Sequence, residues 1–185
     1  MRILLEGTIC AGKTSAIRKV KAMSMLDGMK IVLKKEPVKE WAQSRVGNML
    51  LEVMKDEKKA AIFQTYAMTT FRRSRDEVCP DMISIEERSL LSCHEVFQRT
   101  LQDLKKIDDM EQLILDELFQ LFMKNEQIDG IVYIDITPEV AMERIIKRNH
   151  EADREIAKGS LQNKIKTTKS WGDVRAPARA SDFCC

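Results

Sequence analysis

The sequence contains few residues of the kinds that break or cross-link a chain. Its 185 residues include 7 glycines, 4 prolines and 5 cysteines, and 5% of them are aromatic. The cysteine number is odd and no C-x-x-C spacing occurs, which argues against a secreted disulfide framework and against a zinc site. We therefore expect reduced thiols in a cytosol-like compartment.

Long apolar runs and an excess of one charge are also missing. The first apolar run stops at Glu6, and no run approaches the ~20 residues needed to cross a bilayer. Lys and Arg number 31 against 29 Asp and Glu, whereas a nucleic-acid coat needs a concentrated basic face. We expect one domain over residues 1–185, in the cytoplasm (the host's, if the protein is viral), with no membrane or nucleic-acid partner. No extension precedes the first strand, which argues against a mitochondrial form.

Short apolar strands alternate with longer helical segments along the chain. Strands are predicted at residues 2–6, 31–33, 82–85 and 131–136, and helices at 13–25, 38–54, 60–76, 90–104, 109–124 and from 137 onward. The strands are continuously apolar, which is typical of parallel strands buried on both faces. The pattern predicts an α/β fold with three layers, α/β/α, around a parallel sheet of four to five strands.

The segment after the first strand carries the clearest chemical motif. Eight consecutive residues fit G-x-x-x-x-G-K-[ST] without mismatch: Gly7, Thr8, Ile9, Cys10, Ala11, Gly12, Lys13 and Thr14. In this P-loop, backbone N–H groups and a helix N-terminus face phosphate oxygens. Lys13 is predicted to approach the β- and γ-phosphates and Thr14 to offer a hydroxyl to Mg²⁺. The motif predicts a P-loop NTPase-type fold, and since no N-K-x-D motif of GTPases occurs, a kinase of a small molecule is favoured.

Three further groups of charged residues follow predicted strands or lie on a helix. Glu36 ends the second strand, where a carboxylate could accept a hydroxyl proton as a general base. Glu87 and Arg88 end the third strand, and such a pair suits Mg²⁺ and a transferring phosphoryl group. Arg144 and Arg148 share a helix face that runs into a polar segment, as in the lid of small kinases, here about residues 148–156. A solvated loop acid, a surface ion pair and a solvated helix face are the structural alternatives.

Taken in order, these motifs resemble the deoxynucleoside kinase family. The resemblance covers residues 3–155 and is carried by the P-loop, Glu36-Pro37-Val38 with Trp41, Leu50-Leu51-Glu52-Val53-Met54, Phe63-Gln64-Thr65-Tyr66, Glu87-Arg88-Ser89 with Ser92 and Phe97, and Tyr133 through Pro138 to Arg144 and Arg148. It implies transfer of the γ-phosphate of ATP, with Mg²⁺, to the 5′-hydroxyl of a deoxynucleoside. It also implies a homodimer, which we expect to form through the helices at 90–104 and 109–124.

The resemblance further implies roles for the charged residues. Glu36 would be the catalytic base, Arg88 would contact the 5′-oxygen and the phosphate, and Glu87 would lie near Mg²⁺ with Thr14. The phosphates would be held by a set of cationic side chains: Lys13, Arg144 and Arg148.

A second set of residues would hold the base and the sugar: Glu36, Trp41, Met54, Gln64, Phe71, Arg88, Cys93, Phe97 and Asp153. Gln64 would read the base edge, because its amide offers one acceptor and two donors. Cys93 and Phe71 stand where deoxycytidine and deoxyguanosine kinases carry Asp and Arg. A thiol and a phenyl ring leave room for the thymine methyl group, so thymidine or another pyrimidine deoxynucleoside is the expected substrate. Core packing is the alternative role of Trp41, Met54 and Phe97.

The chain departs from the family pattern at three places. His150 stands at a lid position that is usually Arg, and Lys55 stands where a sugar-contacting Tyr is common. Residues 156–185 contain no apolar run for the family's last strand, and the tail at 171–185 is expected to be divergent or loosely ordered. Two other functions stay open: a thymidylate-type nucleoside monophosphate kinase, which would usually carry D-R-[YFH] in place of Glu87-Arg88-Ser89, and a non-catalytic nucleotide-binding regulatory protein.

Overall fold

The apolar segments of the sequence form a five-stranded sheet in the computed structural model, which describes residues 1–74, 81–124 and 126–148. The strands are β1 Arg2–Gly7, β2 Met25–Leu26, β3 Met29–Lys34, β4 Met82–Glu87 and β5 Gly130–Ile134. The helices are α1 Lys13–Val20, α2 Val38–Ala42, α3 Met49–Lys55, α4 Ala60–Arg73, α5 Leu90–Ser92, α6 Arg99–Asp103, α7 Asp109–Met123 and α8 Pro138–Arg148. A 3₁₀ turn at Glu57–Lys59 precedes α4, and a π-helical turn at Cys93–Gln98 joins α5 to α6.

The strand order is β2-β3-β4-β1-β5, and the four longer strands are mutually parallel. Helices cover both faces of the sheet, which confirms the predicted α/β class. The register aligns the carboxyl ends of β1, β3 and β4, because Leu5 pairs with Glu87 and Lys34 pairs with Glu86. Residues that directly follow these strands therefore meet at one edge of the sheet, where open α/β sheets bind their ligands.

The edge strand β2 is a departure from the expected pattern. The helix predicted over residues 13–25 ends at Val20, and Met25 instead pairs with Lys30 in an antiparallel hairpin. Asp27 and Gly28 both adopt positive φ, at 49° and 79°. A two-residue hairpin turn requires this conformation, and the Asp-Gly dipeptide supplies it at low cost.

The helix predicted over residues 38–54 is also interrupted. A turn separates α2 from α3, in which the Ser44 hydroxyl donates to the Gly47 carbonyl at 2.7 Å. Asn48 then caps α3, because its side-chain oxygen accepts the Leu51 N–H at 3.2 Å. These short-range hydrogen bonds compete with a continuous helix, which explains the break.

Within the described residues, buried apolar side chains gather in two clusters. The larger cluster joins α2, α4, α5 and α7, with the following members: Trp41, Ala60, Ala67, Met68, Phe71, Leu90, Cys93, Ile107, Leu115 and Phe119. The smaller one packs Ala141 and Ile145 of α8 against Ile9 and Cys10 of the P-loop. Among the residues that the structure describes, no helix has the length and apolarity required to span a membrane.

Candidate active site

The P-loop adopts a tightly curled backbone between β1 and α1. Positive φ angles occur at Gly7 (147°), Cys10 (58°) and Gly12 (104°). A Cβ atom on Gly7 would lie 2.6 Å from the carbonyl oxygen of Ile134, so no side chain fits there. The buried hydroxyl of Thr8 has no hydrogen-bond partner. The loop therefore offers a backbone cradle and an unused polar atom, as expected of a phosphate site.

The side chain of Lys13 folds back over this loop. Its Nζ donates to the carbonyl oxygens of Gly7 at 3.0 Å and Thr8 at 2.8 Å, and the residue is buried. Burial, followed by repulsion from Arg88, lowers the pKa of Lys13 to about 7. A phosphate group arriving in the loop would favour the charged ammonium, which fits the predicted role of this lysine.

The structure brings together the two residues predicted to serve a metal ion. The Thr14 hydroxyl, in the first turn of α1, donates to Glu87 Oε1 at 2.6 Å. Both side chains present oxygen atoms, the ligands that Mg²⁺ prefers, and Mg²⁺ usually keeps water and substrate phosphates as its other ligands. The donor set therefore fits a magnesium ion held jointly with a nucleotide.

Glu36 and Arg88 form an ion pair where β3 and β4 end. Arg88 Nε lies 3.1 Å from Glu36 Oε1, although its N–H is not directed at that oxygen and makes no hydrogen bond. The guanidinium lies over the ring of Phe97, 4.8 Å from the ring centre, and Arg88 is only 8% exposed. The predicted base and the predicted phosphate-binding cation are thus adjacent, and the arginine retains an unused donor.

Sequence reasoning did not single out Glu6 as a site residue, yet it is more deeply buried than the predicted site acids Glu36 and Glu87. It is 2% exposed and accepts a 2.7 Å hydrogen bond from the Ser89 hydroxyl. Burial raises the pKa of Glu6 to about 7, although Arg88, Ser89 and Lys13 all act to lower it. The available signal was an acidic residue that ends an apolar strand directly before the P-loop.

Gln64 and Cys93 meet in the expected base pocket. The Cys93 thiol donates to Gln64 Oε1 at 3.1 Å, and both side chains are buried. Burial raises the pKa of the Cys93 thiol, with Glu36 adding to the shift and Arg88 opposing it. The thiol therefore lies within electrostatic range of Glu36 and Arg88, so the residues predicted to read the base and those predicted to transfer the phosphoryl group share one region.

Trp41 and Phe71 belong to the main core as well as to the predicted wall of this pocket. Their rings meet edge to face with centres 5.8 Å apart. The Trp41 indole N–H donates to Thr70 Oγ1 at 2.9 Å, so its polar atom is satisfied inside the protein. Met54 lies in α3, and its contact with the base stays a prediction, as does that of Asp153, which lies outside the described residues.

Helix α8 contacts the P-loop through side-chain hydrogen bonds. Arg144 Nη1 donates to the carbonyl oxygens of Cys10 at 3.1 Å and Ala11 at 3.2 Å. Arg148 lies one turn further on, exposed at the end of α8. Arg144 thus braces the loop that it was predicted to serve, and the phosphate contact of Arg148 stays a prediction. The rest of the expected lid, including His150, and the tail at 171–185 lie outside the described residues.

Comparison with known proteins identifies the family. A family model described as deoxynucleoside kinase matches residues 3–172. Deoxycytidine kinase 2 of Gallus gallus is 27% identical over 199 residues, which cover 92% of this chain and 73% of the relative. The mitochondrial thymidine kinase 2 of Homo sapiens is 28% identical over 159 residues (83% and 57%), and a probable deoxycytidine kinase of fowlpox virus is 31% identical over 160 residues (81% and 63%). The chain belongs to the deoxynucleoside kinase family, whose named members are transferases.

Proposed function

We propose that this protein transfers the γ-phosphate of ATP to the 5′-hydroxyl of a pyrimidine deoxynucleoside, with thymidine preferred. The observation that carries the proposal is the pairing of Glu36 with Arg88 at the sheet edge that also bears the P-loop. A general base, a phosphate-binding cation and a phosphate cradle are the parts that phosphoryl transfer needs. Relatives named after deoxycytidine and thymidine both match the chain, so the base preference depends on the pocket itself.

The donor side is supported by the loop geometry. The curled backbone at Gly7 and Gly12 and the buried hydroxyl of Thr8 suit the phosphates of ATP. Thr14 and Glu87 suit Mg²⁺, which when bound would neutralise charge on the phosphate oxygens. Lys13 is placed to exchange its present carbonyl contacts for a phosphate oxygen.

The acceptor side is supported by the position of Glu36. The 5′-hydroxyl loses its proton to the Glu36 carboxylate while its oxygen bonds to the γ-phosphorus, and the bond from that phosphorus to the bridging oxygen of ADP breaks. Arg88 has a donor without a partner, which can bind the transferring phosphoryl group. Proton transfer by such a base contributes about 10²–10⁴-fold to a rate.

The base preference is supported by Gln64, Cys93 and Phe71. The thiol uses one acceptor position of the Gln64 oxygen and holds the amide in a fixed orientation, leaving the NH₂ group free to donate to a pyrimidine carbonyl. Phe71 is buried and uncharged. Phe71 and Cys93 therefore add no charged group to the proposed pocket, which suits the methyl group at the 5-position of thymine.

We also propose that the protein acts as a homodimer in the cytoplasm. In the described part of the chain, α7 carries four large apolar side chains that are more than half exposed: Met110, Leu113, Ile114 and Leu121. The described residues of 90–104 contribute none to the large exposed apolar set, whereas Ile62 of α4, which packs beside α7, does. We therefore place the interface on α7 and α4 rather than on α7 and the helix at 90–104. The odd number of cysteines and the lack of C-x-x-C spacing in the sequence support a reducing compartment such as the cytoplasm.

A single assay tests the proposed reaction. The purified protein is incubated with ATP, Mg²⁺ and, separately, thymidine, deoxycytidine, deoxyuridine, deoxyguanosine, deoxyadenosine and their 5′-monophosphates. We expect ADP formation with the pyrimidine deoxynucleosides, fastest with thymidine. Phosphorylation of monophosphates alone would identify a thymidylate-type kinase instead, and nucleotide binding without any turnover would support a regulatory protein.

A further inference from the structure

The backbone turn that carries Arg88 has an unusual conformation. Arg88 adopts a φ of 64°, in the left-handed region that residues with a side chain seldom occupy. It directly follows β4, and Ser89 alone separates it from Leu90, where the next helical segment begins. Such a conformation persists only where neighbouring contacts enforce it, and it is common at functional sites.

Two contacts from the end of β1 hold this turn. The Arg88 N–H donates to the carbonyl oxygen of Leu5 at 3.1 Å. The hydroxyl of Ser89 donates to Glu6 Oε1 at 2.7 Å. Leu5 and Glu6 are the last two residues before Gly7, so the Arg88 turn is fastened to the strand that leads into the P-loop.

Ser89 connects this contact to the helix that follows. Its hydroxyl oxygen accepts the N–H groups of Leu91 at 3.2 Å and Ser92 at 3.5 Å, and Ser92 returns a capping contact to the Ser89 N–H at 3.2 Å. The hydroxyl can cap the helix with its lone pairs while its proton points to Glu6. Glu6 therefore sets the orientation of the group that starts the helix bearing Cys93 and Phe97.

Glu6 has no other assigned task in the reaction. It lies beneath the site, 2% exposed, within electrostatic range of Lys13 and Arg88. Whether protonated or ionised, the carboxyl group retains an oxygen that can accept the Ser89 proton. The hydrogen bond is thus available on both sides of neutral pH.

We propose that Glu6 is a positioning residue that, through the Ser89 hydroxyl, holds the turn presenting Arg88 to Glu36 and to the transferred phosphoryl group. The proposal rests on the phosphoryl-transfer function proposed above. It differs from a purely electrostatic role, because the hydrogen bond to Ser89 and not the charge of Glu6 is the essential element. It also differs from a purely structural role, because it acts on kcat.

The test compares Glu6→Ala, Glu6→Gln and Ser89→Ala in the full-length protein. We expect Glu6→Ala to lower kcat by about 10–100-fold, since small misplacements of a catalytic group have effects of this size. The KM for ATP should change by less than about threefold, because the P-loop backbone does not depend on this bond. Glu6→Gln keeps an acceptor oxygen and should restore kcat to within about threefold of wild type.

Further variants make the result decisive. Ser89→Ala should lower kcat at least as much as Glu6→Ala, because it removes the shared hydrogen bond and also the cap on Leu91 and Ser92. The effects of Glu6→Ala and Ser89→Ala should not add in the double variant, because the shared bond can be lost only once. Glu86→Gln is the matched control: this acid is buried on β4 but pairs with Arg2 at 2.9 Å, so kcat per folded molecule should stay at the wild-type value. If Glu6→Ala fails to fold, the kcat values of Ser89→Ala and Glu6→Gln are compared with that of the wild type instead.

Two outcomes would overturn the proposal. One is a Glu6→Gln variant as slow as Glu6→Ala, which would assign the effect to charge. The other is an unchanged kcat in both Glu6→Ala and Ser89→Ala. If the wild type phosphorylates no nucleoside, the proposed function fails, and crystal structures of the wild type and Ser89→Ala then decide the role of Glu6. In the crystal structure of Ser89→Ala, the backbone of Arg88 should leave the left-handed region. A φ angle of Arg88 that is unchanged from wild type would refute the positioning role.

Discussion

Burial moves two charges of the site to the neutral pH range. Lys13 has its pKa lowered to about 7, chiefly by desolvation, and Glu6 has its pKa raised to about 7 by the same cause. Above pH 7 the lysine becomes neutral and the acid becomes charged. The ligand-free site therefore turns more negative as the pH rises, although its proposed ligand is an anion.

The first prediction concerns proton uptake when ATP binds. At pH 8, above the pKa of about 7, Lys13 is mostly neutral in the ligand-free protein, and nearby phosphate favours its ammonium form. Binding of ATP should take up between a half and about one proton at pH 8, and less at pH 6, where Lys13 already holds its proton. Calorimetry in buffers of different ionisation enthalpy measures this number.

Glu6 requires a control, because ATP would also raise the pKa of this acid. Glu6→Gln removes that contribution and should keep most of the uptake at pH 8. Lys13→Met should abolish the proton uptake that remains in Glu6→Gln. Uptake that is unchanged in Lys13→Met would exclude Lys13 as its source.

The second prediction concerns Glu36, the proposed general base. Glu36→Gln keeps the size of the side chain but removes the proton acceptor, so kcat should fall by about 10²–10⁴-fold. Glu40→Gln is the matched control, since Glu40 pairs with Arg73 and accepts from Tyr66 away from the P-loop. Steady-state kinetics on variants with wild-type melting temperatures provide the measurement, and a wild-type rate for Glu36→Gln would remove this residue from the mechanism.

The third prediction concerns base selection. The double variant Phe71→Arg and Cys93→Asp places a charged pair where the structure has a phenyl ring and a thiol. The ratio of kcat/KM for thymidine to that for deoxycytidine should fall by at least about tenfold, because a polar site rejects a methyl group that cannot pair with it. Cys93→Ala adds no charge but loses the hydrogen bond to Gln64, and it should still prefer thymidine to deoxycytidine. An equal ratio in all three proteins would show that these positions do not select the base.

At the scale of elements, the site depends on how β1, β5 and α8 approach the P-loop. Gly7 pairs with Ile134 of β5, and Arg144 of α8 donates to two carbonyl groups of the loop. The loop is therefore braced on two sides by segments that follow it by more than a hundred residues. Its conformation is a property of the packed sheet and not of the motif alone.

The fourth prediction tests the close approach between Gly7 and β5. Gly7→Ala combines an unfavourable φ with a Cβ atom 2.6 Å from the Ile134 carbonyl oxygen. We expect a loss of stability of at least about 2 kcal/mol, together with weaker ATP binding, because the backbone has to move.

Gly28→Ala separates the steric clash with β5 from the backbone strain of a positive φ angle. Gly28 also has a positive φ, but a Cβ atom added to it would meet no other atom within 4 Å, so only about 1 kcal/mol should be lost. Denaturant unfolding and nucleotide titration measure both effects. Equal losses of stability in Gly7→Ala and Gly28→Ala would show that the close approach of β5 to Gly7 does not limit the residue at this position.

At the scale of the whole molecule, α7 exposes an apolar stripe on a protein with balanced charge. Leu113, Ile114 and Leu121 repeat at helical spacing and remain uncovered in the single chain. Exposed apolar patches on soluble domains usually mark contact surfaces. This stripe is the basis for placing the proposed homodimer on α7.

The fifth prediction follows from that surface. Leu113→Glu with Ile114→Glu should convert a dimer of about 43 kDa, twice the chain mass of 21.3 kDa, into a monomer. Ile146→Glu, at an exposed isoleucine of α8, should leave the mass unchanged. Light scattering during gel filtration gives the mass, and a wild-type monomer at micromolar concentration would contradict the proposal.

Sequence alone was sufficient for features with a local cause. The P-loop, its place between β1 and α1, the four parallel strands and the acid at the end of β3 follow from spacing and apolar pattern within short windows. The Asp27-Gly28 hairpin and the Asn48 cap have local signals too, but the apolar periodicity around them favoured longer helices. In these two places, hydrogen bonding within the turn outweighed helix periodicity.

Only the tertiary structure decided which of these residues act together. Glu6 meets Ser89 across 83 positions of sequence, Gln64 meets Cys93 across 29, and Arg144 meets the carbonyl of Cys10 across 134. The sequence by itself determined the chemical groups and the strands that carry them. Their pairing, and the pKa shifts that burial causes, arise only once the sheet has aligned the strand ends and excluded water from between them.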